Sequence, residues 1–213
     1  MIAFDWVAAS SIATAAATLV LAVATFAAVR SGSRTARIAE RSLLASLRPL
    51  LAPSRMEDAA VKVGFMDDKW FLVPGGGAAV EATGEAVYLA IAVRNVGTGI
   101  AVLHGWFFQA EIETGPTEHQ PVERFRRLTR DLYIAPGEIG FWQGAFRDPS
   151  DPQFAEAARA IAEPRRMMVD VLYGDHELGQ RSITRFSLTP RDDGTWIAGV
   201  SRHWNVDRPN PRS

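Results

Sequence analysis

The sequence predicts a mainly β fold that follows one long N-terminal helix. Two observations support this. A charge-free run near the N-terminus ends in regularly spaced arginines, and after Pro53 the sequence changes to short runs rich in Val, Ile and aromatic residues, separated by Gly, Pro, Asp and Asn. Many short strands with turn residues between them favour an antiparallel sandwich or barrel. One amphipathic segment at 148–163 predicts a single helix inserted in that domain.

The composition is that of a globular chain. Of 213 residues, 47% are apolar and 22% are charged, which differs from the profile of a disordered segment. The net charge is −1, yet residues 1–48 hold a surplus of three positive charges and the remainder a surplus of four negative charges. Because the chain has no cysteine, disulfides, thiol nucleophiles and thiolate metal sites are excluded.

The run from Trp6 to Val29 predicts a transmembrane helix. It contains 24 consecutive residues without a formal charge, and about 20 are enough to cross a hydrocarbon core as a helix. A cleaved signal peptide is one alternative, but the leading residues 1–5 include an aspartate and lack the positive start of such a peptide. A core helix of a soluble protein is the other, and it is rarely charge-free on every face. Residues 1–5 are then a short extracytoplasmic end.

The arginines after the span predict its orientation. No Lys or Arg precedes the span and five arginines follow it by position 48, so the positive-inside rule places the N-terminus outside and the rest in the cytoplasm. Arginine supplies 21 of the 23 basic residues, which we attribute to a GC-rich bacterial genome. The sequence therefore predicts a single-pass protein of the bacterial cytoplasmic (inner) membrane.

Residues 30–48 are expected to form a basic juxtamembrane helix that ends before Pro49, because proline disfavours helix in the residue before it. Its arginines either interact with an anionic leaflet, at about 1 kcal/mol each, or only fix the topology. The lipid bilayer is thus one expected partner. The basic stripe consists of Arg30, Arg34, Arg37 and Arg41, which steps of three and four place on one helix face.

A second copy of the chain is a further expected partner, with the two copies forming a homodimer through the span. Small residues recur every four positions there, and such a stripe lets two helices approach closely. The stripe consists of Ser10, Thr14, Thr18 and Ala22.

Ten segments after Pro53 are predicted as strands. Alternate apolar residues at 87–93 share one face, and the run with Ile183 and Phe186 predicts an irregularity between them. The turn sequences at 174–180 and 190–196 predict two hairpins, so the last three strands form an antiparallel meander. The predicted strands are 61–65, 70–74, 78–82, 86–97, 100–112, 131–136, 140–146, 166–175, 180–190 and 195–204.

The inserted helix begins with Asp151 as N-cap and Pro152 at its first position, and Phe154, Ala158 and Ile161 lie on one side of it. Aromatic residues are expected to fill the core because they alternate along the predicted strands, with a partner surface formed by one or two of them on an edge strand as the alternative. These are Trp70, Trp106, Phe107, Phe108, Phe141, Trp142, Trp196 and Trp204.

Four arginines, Arg124, Arg126, Arg127 and Arg130, are expected in a solvated loop or short helix, with a position facing the membrane as an alternative. The polar, proline-bearing residues 206–213 are expected to form a flexible tail.

Several segments together carry a resemblance. The predicted span, a basic neck closing in Arg-Pro, and then AVRNVGTGIAV, YIAPGE and VLYGDHELGQR resemble a group of uncharacterised bacterial single-pass membrane proteins with an immunoglobulin-like β-sandwich. The resemblance implies that fold for residues 49–205, and it implies no catalytic activity. In the related pattern Pro-Ala often follows Asn-x-Gly-x-Gly, where this chain has Ile100 and Ala101.

The segment richest in potential catalytic or metal-binding side chains is GDHE, in which Asp175, His176 and Glu177 are consecutive. Adjacent strand residues point to opposite faces, so the three do not converge easily on a metal ion, and a polar hairpin tip is the simpler interpretation. No zinc-protease, nucleophile-elbow or phosphate-loop motif occurs. We therefore expect no metal, no cofactor, no catalytic residue and no nucleic-acid partner.

The sequence thus predicts a membrane-anchored cytoplasmic β-sandwich that acts as a protein-interaction or scaffolding module. The alternative is a membrane-surface enzyme, or a metal-dependent hydrolase, centred on Asp175, His176 and Glu177. A further alternative is the reverse orientation, in which the domain recognises something outside the cell.

Overall fold

The computed structural model describes residues 6–110, 118–177 and 179–209. The chain divides into two compact units, Met1–Ala45 and Ser46–Ser213. The predicted extracytoplasmic end at 1–5 and the last four residues of the predicted tail lie outside the described residues.

The first unit is built from helix α1, Trp6–Ser46, which has 41 residues and is therefore about 60 Å long. Its stretch Ser10–Glu40 is long and apolar enough to cross a membrane, and none of its most apolar window is buried. The helix runs without a break from the predicted span into the predicted neck and ends two residues before Arg48.

The second unit is an antiparallel β domain with one short α-helix, α2, at Pro152–Ala162. A 3-10 helix at Val122–Arg124 precedes the seventh strand. In the described residues there are eleven strands: β1 Leu51–Pro53, β2 Val61–Gly64, β3 Trp70–Val73, β4 Gly77–Ala82, β5 Val87–Asn95, β6 Ala101–Ala110, β7 Arg126–Ile134, β8 Ile139–Phe146, β9 Met167–Gly174, β10 Arg181–Pro190 and β11 Trp196–Asn205.

Nine strands form one sheet, and β2 and β3 form a separate hairpin. The sheet runs β1-β5-β4-β11-β10-β9-β6-β7, and β8 pairs with the other edge of β5. The short ladder between β4 and β11 joins two layers, which pack face to face as the predicted sandwich. The two hairpins of the β9-β10-β11 meander are confirmed.

The main core lies between these layers. The alternate residues of β5 at 87–93 point into it, as predicted. The rings of Trp106 and Trp142 meet edge to face with centroids 5.5 Å apart, and Phe146 lies 5.0 Å from Trp106. Helix α2 begins as predicted, because Asp151 accepts a hydrogen bond from the backbone N–H of Gln153 at 2.9 Å.

Six of the eight aromatic residues predicted for the core are buried, and Phe141 is half-buried. The prediction for Trp70 was wrong, since this side chain is 56% exposed. The β2-β3 hairpin lies outside the sandwich, and only its inner face packs against β5. On its outer face the Trp70 ring lies over Gly64, and the Nζ atom of Lys62 is 4.6 Å from the ring centroid.

Two other details differ from the predictions. Strand β7 begins at Arg126, so Arg126, Arg127 and Arg130 lie on a strand rather than in a loop or short helix. Strand β1, only three residues long, was not predicted.

The predicted irregularity between Ile183 and Phe186 is present as a register shift between β10 and β11. It lies next to Phe186, and β11 carries the extra residue.

Candidate functional site

The predicted basic stripe lies on α1. The exposed residues Arg30, Arg34 and Arg37 line one shallow surface together with Ser31 and Ser33. Arg41 belongs to α1, but its side chain lies outside the described part of the structure. What this stripe binds stays a prediction.

The GDHE patch does not form a convergent set of side chains. Asp175 follows β9 and is fully buried, and its Oδ1 atom accepts a hydrogen bond from the N–H of Gly179 at 2.9 Å. His176 and Glu177 are exposed, and the His176 Nε2 atom lies 3.3 Å from the Glu177 carboxylate. Among the described residues, no group of three His, Cys, Asp or Glu side chains could hold a metal ion.

Asp175 instead lies close to His104, a strand residue of β6 that the sequence did not single out. The His104 Nε2 atom packs over Gly174, and within the described chain neither this atom nor Asp175 Oδ2 has a hydrogen-bond partner. Burial lowers the pKa of His104, and the charge of Arg181 lowers it further, while the Asp175 carboxylate acts in the opposite direction. The lowered pKa favours the uncharged form of this half-buried histidine at neutral pH.

A buried ion pair links β9 to β10. Arg185 donates to both carboxylate oxygens of Asp170 at 2.6 and 2.7 Å, and its guanidinium lies 4.8 Å from the centroid of the Trp204 ring. Burial raises the pKa of Asp170, and Arg185 opposes that effect. The pair lies on the outer face of its layer, where Asp170 is the register partner of Phe107, so we assign it to the folding of that layer.

The motif RNVGTG holds the segment through which the chain enters the domain. Asn95 is fully buried, its Oδ1 atom accepts from the N–H of Leu50 and of Gly97, and its Nδ2 atom donates to the carbonyls of Gly99 and Ile134. Gly97 and Gly99 lie so close to the backbone of residues 47–50 that neither position has room for a Cβ atom. The motif is therefore structural.

The most site-like feature of the domain is a groove of about 210 Å³ between β7 and β8. Trp106 and Gly144 line it, and so do Phe65 and Met66 from the turn after β2. We call it the β7/β8 groove, and it is lined by Phe65, Met66, Trp106, Arg126, Arg127, Leu128, Thr129, Gln143, Gly144, Ala145 and Arg147.

Three arginines line the groove, Arg126, Arg127 and Arg147, and among the described residues no acidic side chain does. Arg126 is held by Asp151 and by the Gln153 side chain, and it stacks on Phe146 at 4.9 Å. Arg147 makes longer contacts to Asp67, at 3.3 and 3.4 Å. The pKa of Asp67 is lowered despite its partial burial, because Tyr88 and Arg147 donate hydrogen bonds to its carboxylate.

The groove joins residues that are far apart in the chain, of which the sequence singled out Arg126 and Arg127 as part of a basic cluster and Trp106 as a core residue. Phe65 and Gln143 carry no local signal, since Phe65 is placed by the packing of the β2-β3 hairpin on β5 and Gln143 by the pairing of β8 with β5. No protein-family model matches the chain, and searches of curated proteins and of solved structures find no significant match either.

Proposed function

We propose that this chain is a single-pass protein of the bacterial cytoplasmic membrane, with its N-terminus outside and its β domain in the cytoplasm. The observation that carries the proposal is α1, whose apolar stretch is not buried by any part of the described chain. Exposing such an apolar surface to water costs roughly 25 cal/mol of free energy for each Å². Insertion into a bilayer removes the surface from water and so avoids this cost. The arginines that follow the apolar stretch favour the cytoplasmic side.

The β domain acts, in this proposal, as a protein-interaction or scaffolding module. Its support is a well-packed sandwich that displays a basic groove, together with a GDHE patch whose side chains do not converge. We also propose that the chain is related to bacterial single-pass membrane proteins that carry an immunoglobulin-like sandwich. This part of the proposal is supported by the resemblance of AVRNVGTGIAV, YIAPGE and VLYGDHELGQR to those proteins.

A homodimer through α1 extends the proposal. The hydroxyls of Ser10, Thr14 and Thr18 donate to backbone carbonyls three or four residues earlier, at 3.0, 2.9 and 2.8 Å. These side chains therefore bring no unpaired donor into lipid, and they leave a smooth face of small groups that suits close helix packing.

The test is fractionation of cells that express the full chain with a C-terminal tag, followed by detergent extraction and affinity capture. We expect the chain in the membrane pellet after an alkaline wash, and a protein partner in the detergent eluate. The matched control carries Leu21→Asp and Val23→Asp, which place two charges in the apolar stretch and should release the chain from the pellet. Recovery of the unchanged chain in the soluble fraction would refute the anchor.

A further inference from the structure

We propose that the β7/β8 groove binds an acidic, extended segment of a protein partner. This inference rests on the proposed function, because it supplies the chemistry of the partner that the domain holds.

The first argument is the strand order. Within the described residues β7 pairs only with β6, and β8 pairs only with β5. The two strands follow one another in the chain, yet no ladder joins them, so each presents an open edge. An extended peptide binds to such an edge by adding a strand, since its backbone satisfies the free N–H and C=O groups.

The second argument is a wide bulge in β7. Leu103 pairs with Leu132 and Gly105 with Arg127, so that residues 128–131 of β7 lie opposite a single residue of β6. This stretch leaves the ladder and approaches the β2-β3 hairpin, where Arg130 donates to the carbonyl of Gly64 at 3.1 Å. Bulges of this kind commonly redirect side chains beside binding sites.

The third argument is charge. The domain and its tail, residues 49–213, carry four more acidic than basic side chains, whereas the groove is locally basic. Asp151 and Asp67 neutralise Arg126 and Arg147. Arg127 and Arg130 are exposed, and neither forms an ion pair with a carboxylate in the described part of the chain. Arg127, which lines the groove, and Arg130, which follows the lining residue Thr129 on β7, therefore favour carboxylate side chains, which guanidinium groups bind through paired hydrogen bonds.

The fourth argument is a buried acceptor in the groove. Gln143 is 5% exposed, and its Oε1 atom has no hydrogen-bond partner among the described residues. Because the residue lines the groove, a rotation of its side chain would let a peptide N–H reach this acceptor. Phe65, Met66 and Leu128 line the same groove and suit apolar side chains, so the fitting segment alternates acidic and apolar residues.

The size of the groove also separates this ligand from others. At about 210 Å³ it is smaller than the ~300–1,000 Å³ typical of cofactor pockets. A bilayer is a flat surface and does not fill a concave slot, so a peptide fits the groove better than a lipid surface does.

The experiment is selection of a displayed random peptide library on the full chain in phosphatidylcholine nanodiscs. We expect the wild-type chain to enrich peptides with alternating Asp or Glu. The Arg127→Glu/Arg130→Glu variant should lose that enrichment and bind the selected acidic peptides at least about tenfold more weakly. The control is Arg165→Glu/Arg191→Glu, which reverses two exposed arginines away from the groove and should select like the wild type. Arg127→Gln/Arg130→Gln replaces the charge-reversal variant if the latter does not fold.

Three outcomes would overturn the inference: no acidic enrichment on the wild type, equal enrichment on the charge-reversal variant, or enrichment that the soluble lipid-headgroup analogue glycerol phosphate abolishes in the same phosphatidylcholine nanodiscs. The third would show that an anionic lipid headgroup, and not an acidic peptide, is the ligand of the groove. If the full chain proves soluble without detergent, the same selection is run in buffer. The membrane anchor can therefore be refuted while the selection still tests peptide binding to the groove.

Discussion

At the scale of single residues, the domain depends on buried polar side chains whose partners come from distant parts of the chain. Asn95 is the clearest case, since it satisfies backbone groups of the entry segment, of its own loop and of β7. A buried group that loses its partner is costly because it also loses its hydration. Residues of this kind decide whether the domain folds.

For Asn95→Ala we expect a loss of about 3 kcal/mol in the free energy of unfolding, because several buried backbone groups lose their hydrogen bonds together. The measurement is urea unfolding of the full chain in neutral detergent, followed by tryptophan fluorescence. Val96→Ala is the control, since that neighbouring side chain is 53% exposed and should cost little. Equal effects of the two changes would contradict the role of Asn95.

His104 makes a prediction about pH. Its pKa is lowered in the folded state from an ordinary value of 6.5, so the folded domain binds fewer protons than the unfolded chain below that pH. Its contribution to stability is therefore complete above pH 6.5 and is lost as the pH falls through the lowered pKa, with a slope of at most about 1.4 kcal/mol per pH unit.

Unfolding measured between neutral and mildly acidic pH should show that slope for the wild type and a flatter one for His104→Asn. His176→Asn, at an exposed position, should keep the wild-type slope. An unchanged slope in His104→Asn would show that this histidine does not carry the effect.

The enzyme alternative makes an opposite prediction at His176. If the domain is an interaction module, His176→Ala changes neither partner capture nor the cellular phenotype, and the purified full chain contains no stoichiometric zinc. Elemental analysis and a comparison with a deletion strain measure both. Stoichiometric zinc, or a phenotype as strong as the deletion, would favour the hydrolase.

At the scale of secondary-structure elements, the sequence predicted those whose pattern is local. The alternation in β5, the turn residues of the meander and the N-cap of α2 act within a few residues, and all three are confirmed. Strand β1 was missed because its three residues, which include Pro53, are too few to show an alternation of apolar and polar side chains. The arginine-rich start of β7 was missed because its strand pairing is set by β6 and not by its own side chains.

The candidate groove could not be predicted for the same reason. Arg126 and Arg127 were noticed but were assigned to a loop or short helix, and Arg147 was not singled out. Nothing local places the turn at Met66 beside β8. Trp70 was assigned to the core because aromatic residues alternate along the predicted strands, whereas its position on a hairpin outside the sandwich depends on the packing of β2 and β3 against β5.

The pairing of β9 with β10 also makes a prediction. Asp170→Leu leaves the Arg185 charge buried without its carboxylate, and we expect a loss of about 3–5 kcal/mol in the free energy of unfolding. Asp170→Leu combined with Arg185→Met removes both charges and should recover most of that loss. Chemical unfolding of the two variants tests this, and equal destabilisation would show that the two positions do not act as a pair.

At the scale of the whole molecule, the account depends on where α1 places the domain. The proposal that the domain is held at the cytoplasmic face rests on the charge distribution and on the apolar stretch of α1. None of these features requires a catalytic centre. The central claim is therefore one of topology.

Because the natural chain has no cysteine, single introduced cysteines report on that topology without background. The measurement is labelling of Ala3→Cys and Glu85→Cys with a membrane-impermeant maleimide, in intact spheroplasts and after lysis. Glu85 is an exposed residue of the domain. The account predicts that Ala3→Cys is labelled in intact spheroplasts and Glu85→Cys only after lysis. Labelling of Glu85→Cys in intact spheroplasts would contradict it.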